Sequence, residues 1–140
     1  MATPDVEYFT SPELPMLPFS EAVRVGDMLW LSGQLGTDAT GALVAGGIAA
    51  ETRQTIENMR RVLERHGSSL DHVVKVTVML ADIGEWGAMN EVYRGFFPRH
   101  FPARSAFATS GLALGARVEI ECWATIPEDA RQLTDARSNS

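Results

Sequence analysis

At 140 residues, 45% hydrophobic and 21% charged, the chain has the length and composition of one folded domain. Twelve basic against eighteen acidic residues leave a net charge of −6, the wrong sign for general binding to a phosphate backbone, so nucleic acid is not an expected partner. No run approaches the roughly 20 apolar residues that cross a bilayer, the opening Met1 to Glu7 lacks the regions of a secretion signal, and the single Cys122 excludes an internal disulfide. A cytoplasmic protein without membrane attachment is expected.

The first predicted elements are two short β-prone runs, Ala22 to Val25 and Met28 to Leu31, joined by the hairpin pair Gly26-Asp27. A glycine-rich loop follows, through Gly36, Gly41, Gly46 and Gly47. From Ile48 to about His66, Ile48, Thr52, Ile56, Met59, Val62 and Leu63 recur at helical spacing. Glu51, Arg53, Glu57, Arg60, Glu64 and Arg65 take the other side, and Gly67 closes the helix. Val73 to Leu80 reads as a central strand covered on both faces, because both of its alternating sets are largely apolar.

Asp82-Ile83-Gly84-Glu85 has the spacing of a capping box for a second helix, about Ile83 to Phe97. Its apolar side carries Trp86, Met89, Asn90, Tyr93 and Phe97; Pro98 and Pro102 stop it. Ala103 to Thr109 and Arg117 to Thr125 complete the strands. The expected organisation is one domain over 1–140, with a core of about 18–126 and a frayed tail from about 127.

The result is an α+β sheet whose two helices cover only one face, so the other face calls for a partner and self-association is expected. Between Val92 and Val118 there is no acidic residue, yet Arg94, Arg99, Arg104, Arg117 and His100 fall there. Arginine's planar fork grips carboxylates, so one of these could hold a small anion. His66, His72 and His100 stand at no metal-ligand spacing, so no metal is expected.

Several blocks occur in order: Ser32-Gly33-Gln34 after a strand; Glu51-Thr52-Arg53-Gln54 with Asn58; Val73 to Val78; Asn90 with Tyr93 and Phe97; Phe101-Pro102-Ala103-Arg104-Ser105; and Val118 to Glu121. Together they resemble the RidA/YjgF family of imine deaminases. The resemblance implies a chorismate-mutase-like mixed sheet and a homotrimer with the second sheet face buried between subunits and clefts there. It further implies hydrolysis of reactive 2-imino acids, or their enamine tautomers, to 2-keto acids and ammonia without metal or organic cofactor.

By the same resemblance, Arg104 binds the substrate carboxylate and Glu119 is the acidic group of the cleft. In the last strand Glu119 and Glu121 share a side, where two carboxylates are costly to bury unpartnered. Glu119 is the expected group for water activation or proton transfer, and Glu121 a structural or interface contact. Ser32 and Gly33 are expected to line the cleft. Asn90, an amide on an apolar helix side, is read first as capping a neighbouring strand and second as lining the cleft. Cys122 faces the other way and is expected in the core.

Two positions depart from the family pattern. Leu17-Pro18-Phe19-Ser20 stands where members commonly have Gly-Pro-Tyr-Ser, so Phe19 forms a cleft wall without the tyrosine hydroxyl. Ala106 stands where the deaminating subgroup often has cysteine; it still offers a backbone carbonyl. Alternative expectations are a pathway-specific deaminase resembling those for 2-aminomuconate or aminoacrylate, and a trimer that binds keto acids without turnover. The ribonuclease label also attached to the family is the weakest reading for a chain of charge −6.

Overall fold

A computed structural model describes residue 3 and residues 5–130. In chain order the elements are β1 (Val6–Phe9), β2 (Ala22–Val25), β3 (Met28–Leu31), α1 (Gly47–Arg65), β4 (Val73–Leu80), α2 (Trp86–Arg94), β5 (Ala103–Ala108) and β6 (Val118–Thr125). Short 3-10 turns at Leu70–His72, Ile83–Glu85 and Ala113–Gly115 join them. The strands form one mixed sheet in the order β1-β2-β3-β6-β4-β5, antiparallel except for the β4-β5 pair. Among the described residues no helix is long and apolar enough to cross a membrane.

The hairpin forms where its turn residues require it. Gly26 takes φ +59°, which costs glycine nothing, and Ala22 and Leu31 close the β2-β3 ladder. β1 is an addition to the expected order. It pairs with β2 at the sheet edge and is mostly exposed, so it carries no apolar alternation from which it could be read.

Helix α1 buries Ile56, Met59, Val62 and Leu63 against the sheet. Its end is a Schellman arrangement: Gly67 at φ +84° lets its own N–H reach the Glu64 carbonyl and lets Ser68 N–H reach that of Leu63. Glu51 departs from the expected solvent side. It is 5% exposed, and its Oε1 accepts from the Arg117 N–H at 2.9 Å, just ahead of β6. Asn58, also buried, donates to the carbonyls of Leu35 and Thr37 at 2.9 Å each and so fastens the glycine-rich loop to α1.

Strand β4 has one covered face. Val76, Val78 and Leu80 are fully buried beneath the helices, whereas Lys75, Thr77 and Met79 are only half-buried on the other side. A register shift against β6 between Val73 and Lys75 brings Val73 into the core as well and turns Val74 outward. The double-sided apolar pattern therefore records a bulge and an open face rather than cover from both sides within one chain. On that open face Trp30 and Trp123 pair across β3 and β6 with ring centroids 4.6 Å apart.

The second helix is shorter than expected. Asp82 caps the 3-10 turn by accepting from Gly84 N–H at 2.8 Å, but Glu85 does not reach back; it binds Arg117 at 2.9 and 3.0 Å. The α-helix ends at Arg94, and Phe97 is buried beyond it, in the approach to Pro98. Of the expected frayed tail, residues 128–130 are helical and 131–140 lie outside the described residues.

Asn58→Leu would leave the Leu35 and Thr37 carbonyls without this donor. Urea unfolding should show a loss of about 1–3 kcal/mol.

Candidate functional site

The open sheet face carries the acidic group. In β6, Val118, Ile120, Cys122 and Ala124 are buried while Glu119 and Glu121 alternate with them on the far side, paired with Met79 and Thr77 of β4. Beyond β3 the chain stays extended, and Gln34 exchanges two backbone hydrogen bonds with Ile120, at 2.8 and 3.0 Å. That pairing lays Gly33 directly against Glu119: a Cβ at Gly33 would sit 2.1 Å from Glu119 Oε2. Glycine leaves the carboxylate where it stands, whereas a side chain at this position would push it aside.

Ser32 fastens this corner to the loop before β2. Its Oγ donates to the Ser20 carbonyl at 2.6 Å and its N–H to the Glu21 carbonyl at 3.0 Å, which sets the exposed Phe19 one residue away. The loop is anchored by an ion cluster not foreseen from the sequence. Glu21, 4% exposed, pairs with Arg65 at 2.9 Å and His66 at 2.6 Å, and Arg65 also binds Glu13. No local spacing signals this cluster, because each acid lies 44 or more residues from the base it pairs with.

Neither Glu119 nor Glu121 has a hydrogen-bond or ion-pair partner among the described residues. Burial raises the Glu119 carboxyl above its ordinary range, and the like charge of Glu121 adds to the effect.

Arg104 lies on the opposite face. It is registered with Val76, whose side chain enters the helix-covered core, so the Arg104 side chain runs beneath α2. Its guanidinium carbon is 4.7 Å from the Tyr93 ring centroid and 5.7 Å from that of Trp86, and Nη1 is 4.0 Å from Met89 Sδ. Cation-aromatic contacts hold it. No carboxylate pairs with it among the described residues, so its fork of donors keeps its capacity for an anion.

An open cavity of about 240 Å³ lies here, lined by Asn90, Tyr93, Arg94, Phe101, Pro102 and Arg104. Among the described residues nothing donates to the buried Asn90 Oδ1, so Asn90 caps no strand through that oxygen, and the proton of the buried Tyr93 hydroxyl has no acceptor. Ala106, two residues beyond Arg104 on the same face, packs against the core. Cys122 is 1% exposed in the core, and burial pushes its thiol up to about 12. Among the described residues no group of three or more His, Cys, Asp or Glu has the geometry of a metal site.

One chain therefore presents two separate groups. Glu119, Gly33 and Ser32 gather on the open face, with the exposed Phe19 in the adjoining loop; Arg104, Asn90, Tyr93 and Ala106 gather under α2. The strand alternation that buries the core places them on opposite sides of the sheet.

A carboxyl held above its ordinary value in the folded state favours its protonated form, so the stability contribution of Glu119 falls as pH rises from the ordinary glutamate range through the raised value. Glu121→Gln should lower the Glu119 midpoint in a carboxyl-carbon NMR titration, and Glu119→Gln should lessen the decline in stability over that pH window.

A family model described as Endoribonuclease L-PSP matches residues 10–126. The human 2-iminobutanoate/2-iminopropanoate deaminase is 44% identical over 105 residues, which are 74% of this chain and 77% of that protein. Among solved structures, RidA from Psychrobacter sp. PAMC 21119 superposes with a TM-score of 0.76 at 34% identity, covering 90% of this chain and 100% of that one. The YjgF gene product of E. coli does so with a TM-score of 0.78 at 30% identity, covering 85% of this chain and 98% of that one. The matched length takes in every element from β2 to β6, and with it both groups of side chains: the chain belongs to the RidA/YjgF family.

Proposed function

We propose that this protein hydrolyses reactive 2-imino acids and their enamine tautomers to 2-keto acids and ammonia. The observation that carries the reading is Arg104: a guanidinium in an open cavity, held by aromatic rings, with no carboxylate of its own among the described residues. A small 2-imino acid has one permanent negative charge. A bidentate pair with Arg104 would fix both that charge and the plane of the neighbouring C=N bond. The deaminase name of the human relative supports the same substrate class.

In the hydrolysis a water adds to C2 of the imine, its oxygen losing one proton as the nitrogen gains one, to give a carbinolamine; transfer of the hydroxyl proton to nitrogen then breaks the C–N bond, releasing ammonia and leaving the C2 carbonyl. A carboxyl whose hold on its proton is raised above the ordinary range suits such transfers. Glu119, raised by burial and by Glu121, is our assignment for them. Ser32 and Gly33 border it, Phe19 forms a wall, and Asn90 and the Ala106 backbone flank the anion end.

Since Arg104 and Glu119 occupy opposite sheet faces, we assign the complete site to the junction between copies of the chain. The β5-α2 edge of one copy would meet the open face of the next. Such a contact joins unlike surfaces and repeats until it closes into a ring; a ring of three is our reading. Exposed Trp30, Trp123, Val74 and Phe107 on the sheet supply apolar area for it. The endoribonuclease description of the family model is not our reading for a chain of net charge −6. A cytoplasmic setting, with a small imino or keto acid as its only ligand, completes the proposal.

Sedimentation should give a trimer, and a stable monomer at micromolar concentration would overturn the shared site. With imine generated freshly by an amino-acid oxidase, ammonia release should be fast; keto-acid binding without release would favour a binding protein. Selective turnover of one larger unsaturated imine would favour a pathway-specific enzyme. Arg104→Ala should cost on the order of 2 to 5 kcal/mol of transition-state binding, with Arg104→Lys restoring only part. Glu119→Gln should keep 2-oxobutanoate affinity while turnover falls roughly 10²- to 10⁴-fold.

A further inference from the structure

Tyr93 is 4% exposed, and among the described residues its buried hydroxyl has no acceptor for its proton, Arg104 beside it being able only to donate toward its oxygen. A buried phenol ordinarily finds an acceptor. Leaving one unmet costs stability, and a phenylalanine would fill the same space at no such cost. The position is specific: Tyr93 lines the cavity beside Arg104, whose guanidinium carbon lies 4.7 Å from its ring centroid. Arg104 has only donors to offer, so it cannot accept the phenolic proton. What the pair lacks is a shared acceptor.

We propose that the Tyr93 hydroxyl donates a hydrogen bond to the carboxylate of the bound ligand, beside the N–H fork of Arg104. The inference rests on the reading of Arg104 as the anion anchor and adds a second residue to it. A carboxylate oxygen has more than one lone pair, so one oxygen can accept from the guanidinium and from the phenol together. Desolvation raises the Tyr93 phenol to about 12, against the opposing pull of Arg104, so the donor proton is retained throughout the neutral range. A charged acceptor makes this contact stronger than a neutral carbonyl would, so the hydroxyl favours a ligand that keeps its anionic oxygen.

The test compares wild type with Tyr93→Phe, Tyr93→Leu and Arg104→Ala, using calorimetric affinity for 2-oxobutanoate and for its uncharged amide. A hydrogen bond to a charged group is worth roughly a factor of 10 to 100 in affinity. Tyr93→Phe should weaken 2-oxobutanoate by that factor and the amide, whose carbonyl is a neutral acceptor, by clearly less. Its thermal midpoint should be equal to or above that of wild type, since only an unmet polar group is removed. Loss of binding alongside a raised or unchanged midpoint is a result that a purely structural tyrosine would not give.

If Tyr93→Phe binds as wild type while Arg104→Ala loses binding, the hydroxyl has no such role and the arginine reading stands. The hydroxyl is equally excluded if only Tyr93→Leu weakens binding, because the ring alone would then be at work, as a platform for the guanidinium. If Arg104→Ala itself binds normally, both the anchor and the inference built on it fall.

Discussion

The alternation of β6 is the constraint on which the rest of the molecule depends. Val118, Ile120, Cys122 and Ala124 are withdrawn from water beneath the helices, and the period of two in an extended chain then obliges Glu119, Glu121 and Trp123 to face the other way. Slipping the register by one residue would bury two carboxylates and expose four core side chains, which rules the alternative out. β6 runs between β3 and β4, so its register also fixes its neighbours. It aligns Gln34 with Ile120 and thereby brings Gly33 against the Glu119 carboxylate.

The parallel β4-β5 pair carries the same logic to the sheet edge with the opposite outcome. Arg104 is level with Val76 and must enter the helix side, where a charge is out of place without compensation. The compensation is aromatic and partial, from Tyr93 and Trp86, rather than an opposite charge. Arginine tolerates this because its charge is delocalised over a planar, weakly hydrated group that stacks on rings. The edge of the cavity thus combines a cation without a carboxylate among the described residues with two buried polar groups, Asn90 Oδ1, which accepts from none of them, and the Tyr93 hydroxyl, whose proton has no acceptor among them. Buried polar groups are ordinarily satisfied, and these two fit the place proposed for a ligand or for another chain.

Around these two groups the polar interior is devoted to fastening loops. Asn58 ties down the glycine-rich loop, Glu51 holds the entry to β6, and Glu21 with Arg65 and His66 secures the segment that ends in Phe19. Each joins elements far apart in sequence, so the site's walls are positioned by contacts of α1 although α1 supplies no lining residue to the cavity under α2. Glu85, drawn to Arg117 instead of capping its own helix, does the same for the start of α2, where Trp86 stands.

What the sequence determined by itself follows from local periodicity and turn chemistry: the β2-β3 hairpin, the extent of α1 and its glycine end, strand β4, and the two faces of β6 with Cys122 turned from Glu119. The ordered blocks from Ser32 to Glu121 also carried the family, because several motifs in consistent spacing constrain one another. Edge strand β1, the burial of Glu51 and the Glu21 cluster were decided only in three dimensions, since each depends on a partner distant in sequence or on a ladder rather than on side-chain pattern. The same holds for the site. The family resemblance names Arg104 and Glu119, but which sheet face each occupies is settled by the register of β5 on β4 and of β6 on β4. Pairing between strands, which no single strand encodes, sets the two residues on opposite sides of one sheet.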